Sequence, residues 1–116
     1  MLVKVGFGFI SAVLKMADNA KNTVLPRCRM QIFYSGHVQG VGFRYTVRSV
    51  AAGFEVKGTV RNLADGRVEV LAEGDKKELE EFRTAIRDAG LAANIRNEDA
   101  MWSEALGGFR GFEIVR

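Results

Sequence analysis

The stretch Gly36–Arg44, with the sequence GHVQGVGFR, constrains the fold most, because it joins a strand-like run to a helix-like run. Three glycines within seven residues permit backbone conformations closed to other residues, so successive N–H groups can turn toward one centre. The start of the helix adds unpaired N–H groups and the positive end of its dipole. Arg44, one turn in, carries a planar set of donors suited to phosphate. The sequence therefore predicts a strand, a phosphate-binding loop and a helix.

The loop alone leaves a second interpretation open, in which it is only a tight connection and Arg44 is solvated. No Lys-Ser/Thr pair follows the last glycine, and the glycine spacing departs from the dinucleotide-binding fingerprint. A second stretch, GTVRNLADGRVE at residues 58–69, decides between the two interpretations. Together the two motifs resemble those of the acylphosphatase family, small hydrolases of carboxyl-phosphate anhydrides, and the resemblance runs from about Met30 to Arg116.

The hydrophobic pattern predicts an α+β fold. Alternation of apolar residues indicates strands, whereas apolar stripes with helical spacing indicate two helices. Strands are predicted at 30–35, 55–62, 67–73, 95–102 and 112–115, and helices at 43 to about 53 and at 75 to about 90. This order predicts a ferredoxin-like split β-α-β sandwich, with two helices packed on one face of an antiparallel or mixed sheet. The resemblance to acylphosphatases implies the same architecture.

Composition favours one domain preceded by a basic leader. The chain has 116 residues, one proline and 47% hydrophobic content. The formal net charge of the chain is +3. Residues 1–29 contribute +4, so residues 30–116 sum to −1, which does not favour nucleic-acid binding. The apolar run Val5–Leu14 is too short to span a bilayer. We expect residues 1–29 to be a loosely attached extension without catalytic role. A weak targeting segment and extra translated sequence are the alternatives.

Two side chains and six N–H groups are the candidate catalytic and binding groups. Arg44 would hold the phosphoryl oxygens, and the carboxamide of Asn62 has both an acceptor and donors with which to fix a water. The resemblance implies that Asn62 positions the attacking water, while the substrate phosphate takes its proton. The predicted phosphate-binding N–H groups belong to Val38, Gln39, Gly40, Val41, Gly42 and Phe43.

Other candidate residues are assigned no chemistry. His37, the only histidine, is interpreted as a loop residue that tunes local charge, and Asp65 as a turn residue. Cys28 is expected outside the domain, so a cysteine-phosphatase mechanism is not predicted. With one histidine and one cysteine, no metal site, triad or cofactor is expected. Thr59 stands where many family members carry an aromatic residue, which affects packing near the hairpin and substrate fit.

Three other functions compete with that of a free-standing hydrolase. RNA-recognition domains share the element order but stack bases on aromatic residues, and the strand 67–73 has none and holds two acids. Hydrogenase-maturation carbamoyl transferases have similar motifs but also zinc-finger cysteines and further domains. A non-catalytic acylphosphatase-like binding module is the main alternative. We expect a monomeric cytoplasmic enzyme whose partner is a small acyl phosphate, not nucleic acid or a membrane.

Overall fold

The computed structural model describes residues 27–116, so the predictions for the leader up to residue 26 lie outside the described residues. Two α-helices and five strands make up the described part of the chain. They are β1 (Arg27–Gly36), α1 (Phe43–Ala51), β2 (Lys57–Asn62), β3 (Val68–Asp75), α2 (Lys76–Ile86), β4 (Ile95–Glu104) and β5 (Phe112–Ile114). The predicted order of elements is confirmed.

The strands form one sheet in the order β4-β1-β3-β2-β5. Each neighbouring pair is antiparallel except β2 and β5, which are parallel. The two helices cover one face of this mixed sheet, and the α+β ferredoxin-like prediction is therefore confirmed. The chain leaves β1 through the glycine-rich stretch and returns to the sheet at β2, with β3 lying between those two strands.

Alternation along the strands places one set of side chains in the core between sheet and helices. Met30, Ile32 and Tyr34 of β1 are fully buried, as are alternate residues of β3. Each helix buries one apolar stripe against them, as the spacing predicts. Full burial of such a side chain contributes about 1.5–3 kcal/mol. The helical contribution is Phe43, Val47 and Ala51 from α1 and Leu79, Phe82 and Ile86 from α2.

The first strand is longer than predicted, since it begins at Arg27 and not at Met30. The extra residues pair with β3, where Cys28 lies opposite Gly74. Cys28, expected outside the domain, therefore belongs to β1 and packs half-buried against the core. That expectation was wrong because the backbone of this strand start pairs with β3 and β4, which lie far along the chain, whereas the resemblance to the family begins only at about Met30.

Both helices end earlier than the pattern predicts. Helix α1 ends at Ala51, and helix α2 ends at Ile86. Residues 87–94 continue as irregular turns, because Ala89 leaves helical geometry and Gly90 takes a φ of 90°. Gly90 ends helical geometry, as predicted, but the regular α-helix ends four residues earlier, at Ile86.

The connection from β4 to β5 crosses the sheet, because those strands lie at opposite edges. It runs over the face opposite the helices, where it contacts Glu73, the neighbour of the core residue Ala72. Residues 105–111 form this crossover segment. The carboxylate of Glu73 accepts hydrogen bonds from the N–H groups of Leu106 (2.8 Å) and Gly107 (2.9 Å) and from Arg29 Nε (2.8 Å). The Arg29 guanidinium lies 5.3 Å from the centre of the Phe109 ring. One buried carboxylate thus fastens the crossover segment to the sheet.

Candidate active site

Residues 37–42, the glycine loop, connect the end of β1 to the start of α1. Gly36, Gly40 and Gly42 have φ values of 125°, 79° and 79°, a region that glycine adopts without strain. A Cβ atom at Gly36 would lie 2.5 Å from the carbonyl oxygen of Asn94, so only glycine fits there. The N–H of His37 donates to the same oxygen at 2.9 Å, which fixes the base of the loop against the start of β4.

The loop presents consecutive backbone donors. Among residues 27–116, none of the N–H groups of residues 38–43 donates a backbone hydrogen bond, and the first bond of α1 runs from Thr46 N to Gly42 O at 3.0 Å. Val38 and Phe43, each 1% exposed, anchor the two ends of this segment in the core. The structure therefore leaves the predicted phosphate-binding N–H groups without partners in the described part of the chain, next to the positive end of a helix.

Arg44 lies half-buried in the first turn of α1, directly after the buried Phe43. None of the ion pairs formed within residues 27–116 involves Arg44, so no described carboxylate neutralises its charge. A guanidinium at this position adds a permanent positive charge to the donors of the loop. Together these groups are suited to an anion with several oxygen atoms, such as a phosphoryl group.

Asn62 is the last residue of β2 and lies opposite Val68, which in turn lies opposite Tyr34 of β1. Strand alternation places Asn62 on the helix-covered face, in the same row as the buried Val60. Its Oδ1 atom is buried and has no hydrogen-bond partner among the described residues. A buried carbonyl oxygen without a partner favours an added donor, and a water molecule supplies one.

The side chain of Gln39 joins the glycine loop to the hairpin formed by β2 and β3, which carries Asn62 where β2 ends. Its Nε2 atom donates to the carbonyl oxygens of Leu63 at 2.8 Å and Arg67 at 2.9 Å. Sequence reasoning selected Gln39 only for its N–H group and missed this contact. No signal in the sequence could have revealed it, because both acceptors are backbone atoms that every residue possesses.

A buried tyrosine supports the loop from beneath. The Tyr34 ring packs against Phe43 with 5.0 Å between ring centres, and its hydroxyl is buried without a partner among residues 27–116. Glu98, opposite Tyr34 in β4, forms ion pairs with Arg83 and Arg87 of the α2 region. Burial, and secondly the Glu98 carboxylate, raise the pKa of Tyr34 far above its ordinary value. Tyr34 therefore stays neutral even at a pH where an exposed tyrosine ionises.

The remaining candidate residues lie in the hairpin turn, at the base of the loop and along β1 and β2. Asp65 accepts hydrogen bonds from Arg67 N (3.1 Å) and Nε (2.8 Å) within the turn, and the backbone hydrogen bond from Arg67 lowers the pKa of Asp65. His37 is exposed at the base of the loop. Cys28 lies eight residues from Gly36 along β1, about 26 Å away at the usual rise of a strand. Thr59 lies half-buried in β2, opposite Leu71.

Neither a metal-binding cluster nor a membrane-spanning helix is found in the described part of the chain. No cluster of three or more His, Cys, Asp or Glu side chains within residues 27–116 could bind a metal ion. Over the same residues, neither helix has the length and apolar character needed to cross a membrane. The candidate groups described above are backbone donors, one guanidinium and two carboxamides.

Known proteins share this arrangement of elements. The Acylphosphatase family model matches residues 30–114. A curated acylphosphatase from Acaryochloris marina is 44% identical over 82 residues, which cover 71% of this chain and 87% of the relative. One from Archaeoglobus fulgidus is 39% identical over 86 residues, 74% of this chain and 96% of the relative. The crystal structure of acylphosphatase from Bacillus subtilis superimposes with a TM-score of 0.70 at 37% identity, covering 77% of this chain and 99% of that one. This chain belongs to the acylphosphatase family, a family of enzymes.

Proposed function

We propose that this chain hydrolyses the carboxyl-phosphate bond of acyl phosphates to a carboxylate and inorganic phosphate, with water as the nucleophile. The observation that carries the proposal is the pairing of the unneutralised Arg44 with loop N–H groups that have no described partner. The curated relatives at 44% and 39% identity, both named acylphosphatase, support the same activity.

The substrate would bind with its phosphoryl oxygens on the N–H groups of residues 38–43 and on Arg44. Phosphoryl transfer passes through a loose transition state in most analyses, so catalysis consists mainly of positioning and charge stabilisation. The site contains the groups for those two tasks. The carboxylate leaving group is stable as an anion, so its departure does not need a general acid.

Asn62 would hold the attacking water through its buried Oδ1 atom. The water oxygen attacks phosphorus as the bond from phosphorus to the carboxylate oxygen breaks. The carboxamide of Asn62 cannot accept the released proton at neutral pH, because an amide is neutral and not basic. A phosphoryl oxygen of the substrate would take that proton, which leaves inorganic phosphate as the product.

We further propose that the enzyme works as a cytoplasmic monomer without metal or cofactor, and that residues 1–29 have no catalytic role. The proposed groups all lie between Gly36 and Arg67 of one chain, which supports catalysis by a single protomer. The single cysteine requires no oxidising compartment. Nucleic acid and membranes are not proposed as partners.

The test is hydrolysis of benzoyl phosphate by the full chain, with a chelator present, for the parent and for Arg44→Ala and Asn62→Ala. Arg44→Ala should lose activity by about 100- to 1,000-fold, the loss typical of removing one preorganised donor. Asn62→Ala loses the acceptor that positions the water and should lose about 100-fold, the cost of a misplaced reactant. Arg110→Ala is the matched control, because Arg110 is an exposed arginine of the crossover segment and should be dispensable. A folded but inert parent would refute the hydrolase and favour a non-catalytic binding module.

A further inference from the structure

We infer that the Gln39 side chain is a positioning residue, which holds the phosphate-binding loop and the hairpin bearing Asn62 in one fixed alignment. The inference rests on the proposed function, and it assigns to Gln39 a role separate from that of its N–H group. Gln39 would touch neither the phosphoryl group nor the water through its side chain. It would act by setting where those two lie relative to one another.

The contact is a double hydrogen bond to the base of the hairpin. Nε2 of Gln39 donates to Leu63 O at 2.8 Å and to Arg67 O at 2.9 Å. Those two residues are also joined to each other, since Leu63 N donates to Arg67 O at 2.8 Å. The amide thus binds where the hairpin is already closed, and one of its acceptors belongs to the residue that follows Asn62.

Sheet topology explains why this hydrogen-bonded link, the tie between the loop and the hairpin, is needed. The glycine loop extends from β1 and Asn62 ends β2, but β3 lies between these strands. Two strand spacings place β1 and β2 about 9.5 Å apart. Among residues 27–116, the two hydrogen bonds of Gln39 are the only ones that link the loop directly to the hairpin. The N–H of His37, in contrast, bonds to Asn94 next to β4.

Alignment matters more for the reaction than for binding. In-line attack requires the reacting atoms to approach to about 3–3.5 Å, and a misplacement of 1 Å can cost about 100-fold in rate. Phosphate affinity, in contrast, depends on groups within one rigid unit, the loop and the first turn of α1. Loss of the tie should therefore lower kcat while leaving the affinity for inorganic phosphate unchanged.

The experiment compares Gln39→Met with Gln31→Met in the full chain. Methionine keeps the length of glutamine but lacks its N–H donors. Gln31 is a matched control, because its Nε2 also makes one cross-strand contact, to Glu69 Oε2 at 2.7 Å, on the sheet face opposite the helices. For each protein, kcat, KM, inhibition by inorganic phosphate and urea unfolding are measured. Gln39→Met should lose about 10- to 100-fold in kcat with an unchanged inhibition constant, and Gln31→Met should keep its kcat.

Two results would overturn the inference while the parent remains active. One is a Gln39→Met variant with the kcat of the parent, and the other is a parallel loss of kcat and phosphate affinity, which would make Gln39 a binding residue. If Gln39→Met does not fold, Gln39→Asn replaces it, since the shorter amide cannot reach both carbonyls and should show the same loss of kcat. A folded but inert parent would instead refute the proposed function itself.

Discussion

Replacing Asn62 with leucine should make the protein more stable and nearly inactive. Asn62 Oδ1 is buried and has no hydrogen-bond partner within residues 27–116. A buried polar atom left unpaired raises the free energy of the folded state, and such atoms persist where function requires them. Leucine has the same branched shape without the polar atoms, so Asn62→Leu separates the cost of the carboxamide from the loss of the side chain.

The expected gain follows from two opposing terms. Removal of an unsatisfied buried group contributes about 1–3 kcal/mol to the free energy of unfolding. Ordering a leucine side chain costs about 0.5–1 kcal/mol in rotamer entropy. The difference is a stabilisation of about 0–2.5 kcal/mol, and each kcal/mol raises the Tm of a domain of this size by about 4–8 °C. Hydrolysis should fall by at least about 100-fold, because leucine cannot hold the water.

Urea unfolding and benzoyl phosphate hydrolysis are measured on the same preparations. Asn97→Leu is the control, since Asn97 is an exposed asparagine of β4 whose amide donates to Asp99 Oδ2 at 2.9 Å. Its unfolding free energy should change by less than about 0.5 kcal/mol. A destabilised Asn62→Leu would show that the carboxamide has a structural partner. Retained hydrolysis would show that Asn62 does not hold the nucleophile.

Acidification should unfasten the crossover segment. Burial opposes ionisation of Glu73, but hydrogen bonds from the Leu106 N–H, from Arg29 and from the Gly107 N–H hold the pKa of Glu73 below its usual 4.5. The contribution of Glu73 to the free energy of unfolding is therefore complete above pH 4.5, and it is lost as the pH falls through the lowered pKa. The free energy of unfolding in urea should therefore fall further between pH 7 and pH 3 for the parent than for Glu73→Gln, and equal losses would contradict this. Gly58→Ala should lower the unfolding free energy by at least about 1–3 kcal/mol, because its Cβ would lie 1.8 Å from a backbone oxygen of β3. Gly53→Ala, with 3.5 Å of clearance, is its control in the same unfolding assay.

The order and type of the elements could be predicted from sequence because each depends on a local period. Alternation in β1 and the helical spacing from Phe43 to Ala51 are both visible in short windows. The ends of elements depend on distant partners instead. Arg29 belongs to a strand because its backbone pairs with Glu73 and Ser103, far along the chain, and no local pattern contains that information.

The candidate site likewise contains residues that local sequence patterns reveal and residues whose roles depend on distant partners. Arg44 and Asn62 could be named because they lie within motifs whose spacing is readable, although their catalytic roles are still predictions. The hydrogen bond from Gln39 to Leu63 and the burial of the Tyr34 hydroxyl could not be predicted from the sequence, because both depend on where β1 and β2 lie in the folded sheet. A glutamine in a glycine-rich loop gives no indication in sequence of whether its side chain is solvated or bound.

Charge explains how residues 30–116, with a net charge of −1, could bind an anionic substrate. Two carboxylates on neighbouring elements are engaged by cations, Glu98 by Arg83 and Arg87 and Asp65 by the guanidinium in its own turn. Two unit charges 4 Å apart near a protein surface interact by about 4 kcal/mol, whereas exposed charges beyond about 10 Å are largely screened. The substrate would therefore respond to Arg44 and the loop donors, and not to the net charge of the domain. A basic composition is not required for a phosphate site when the nearby acids are already paired.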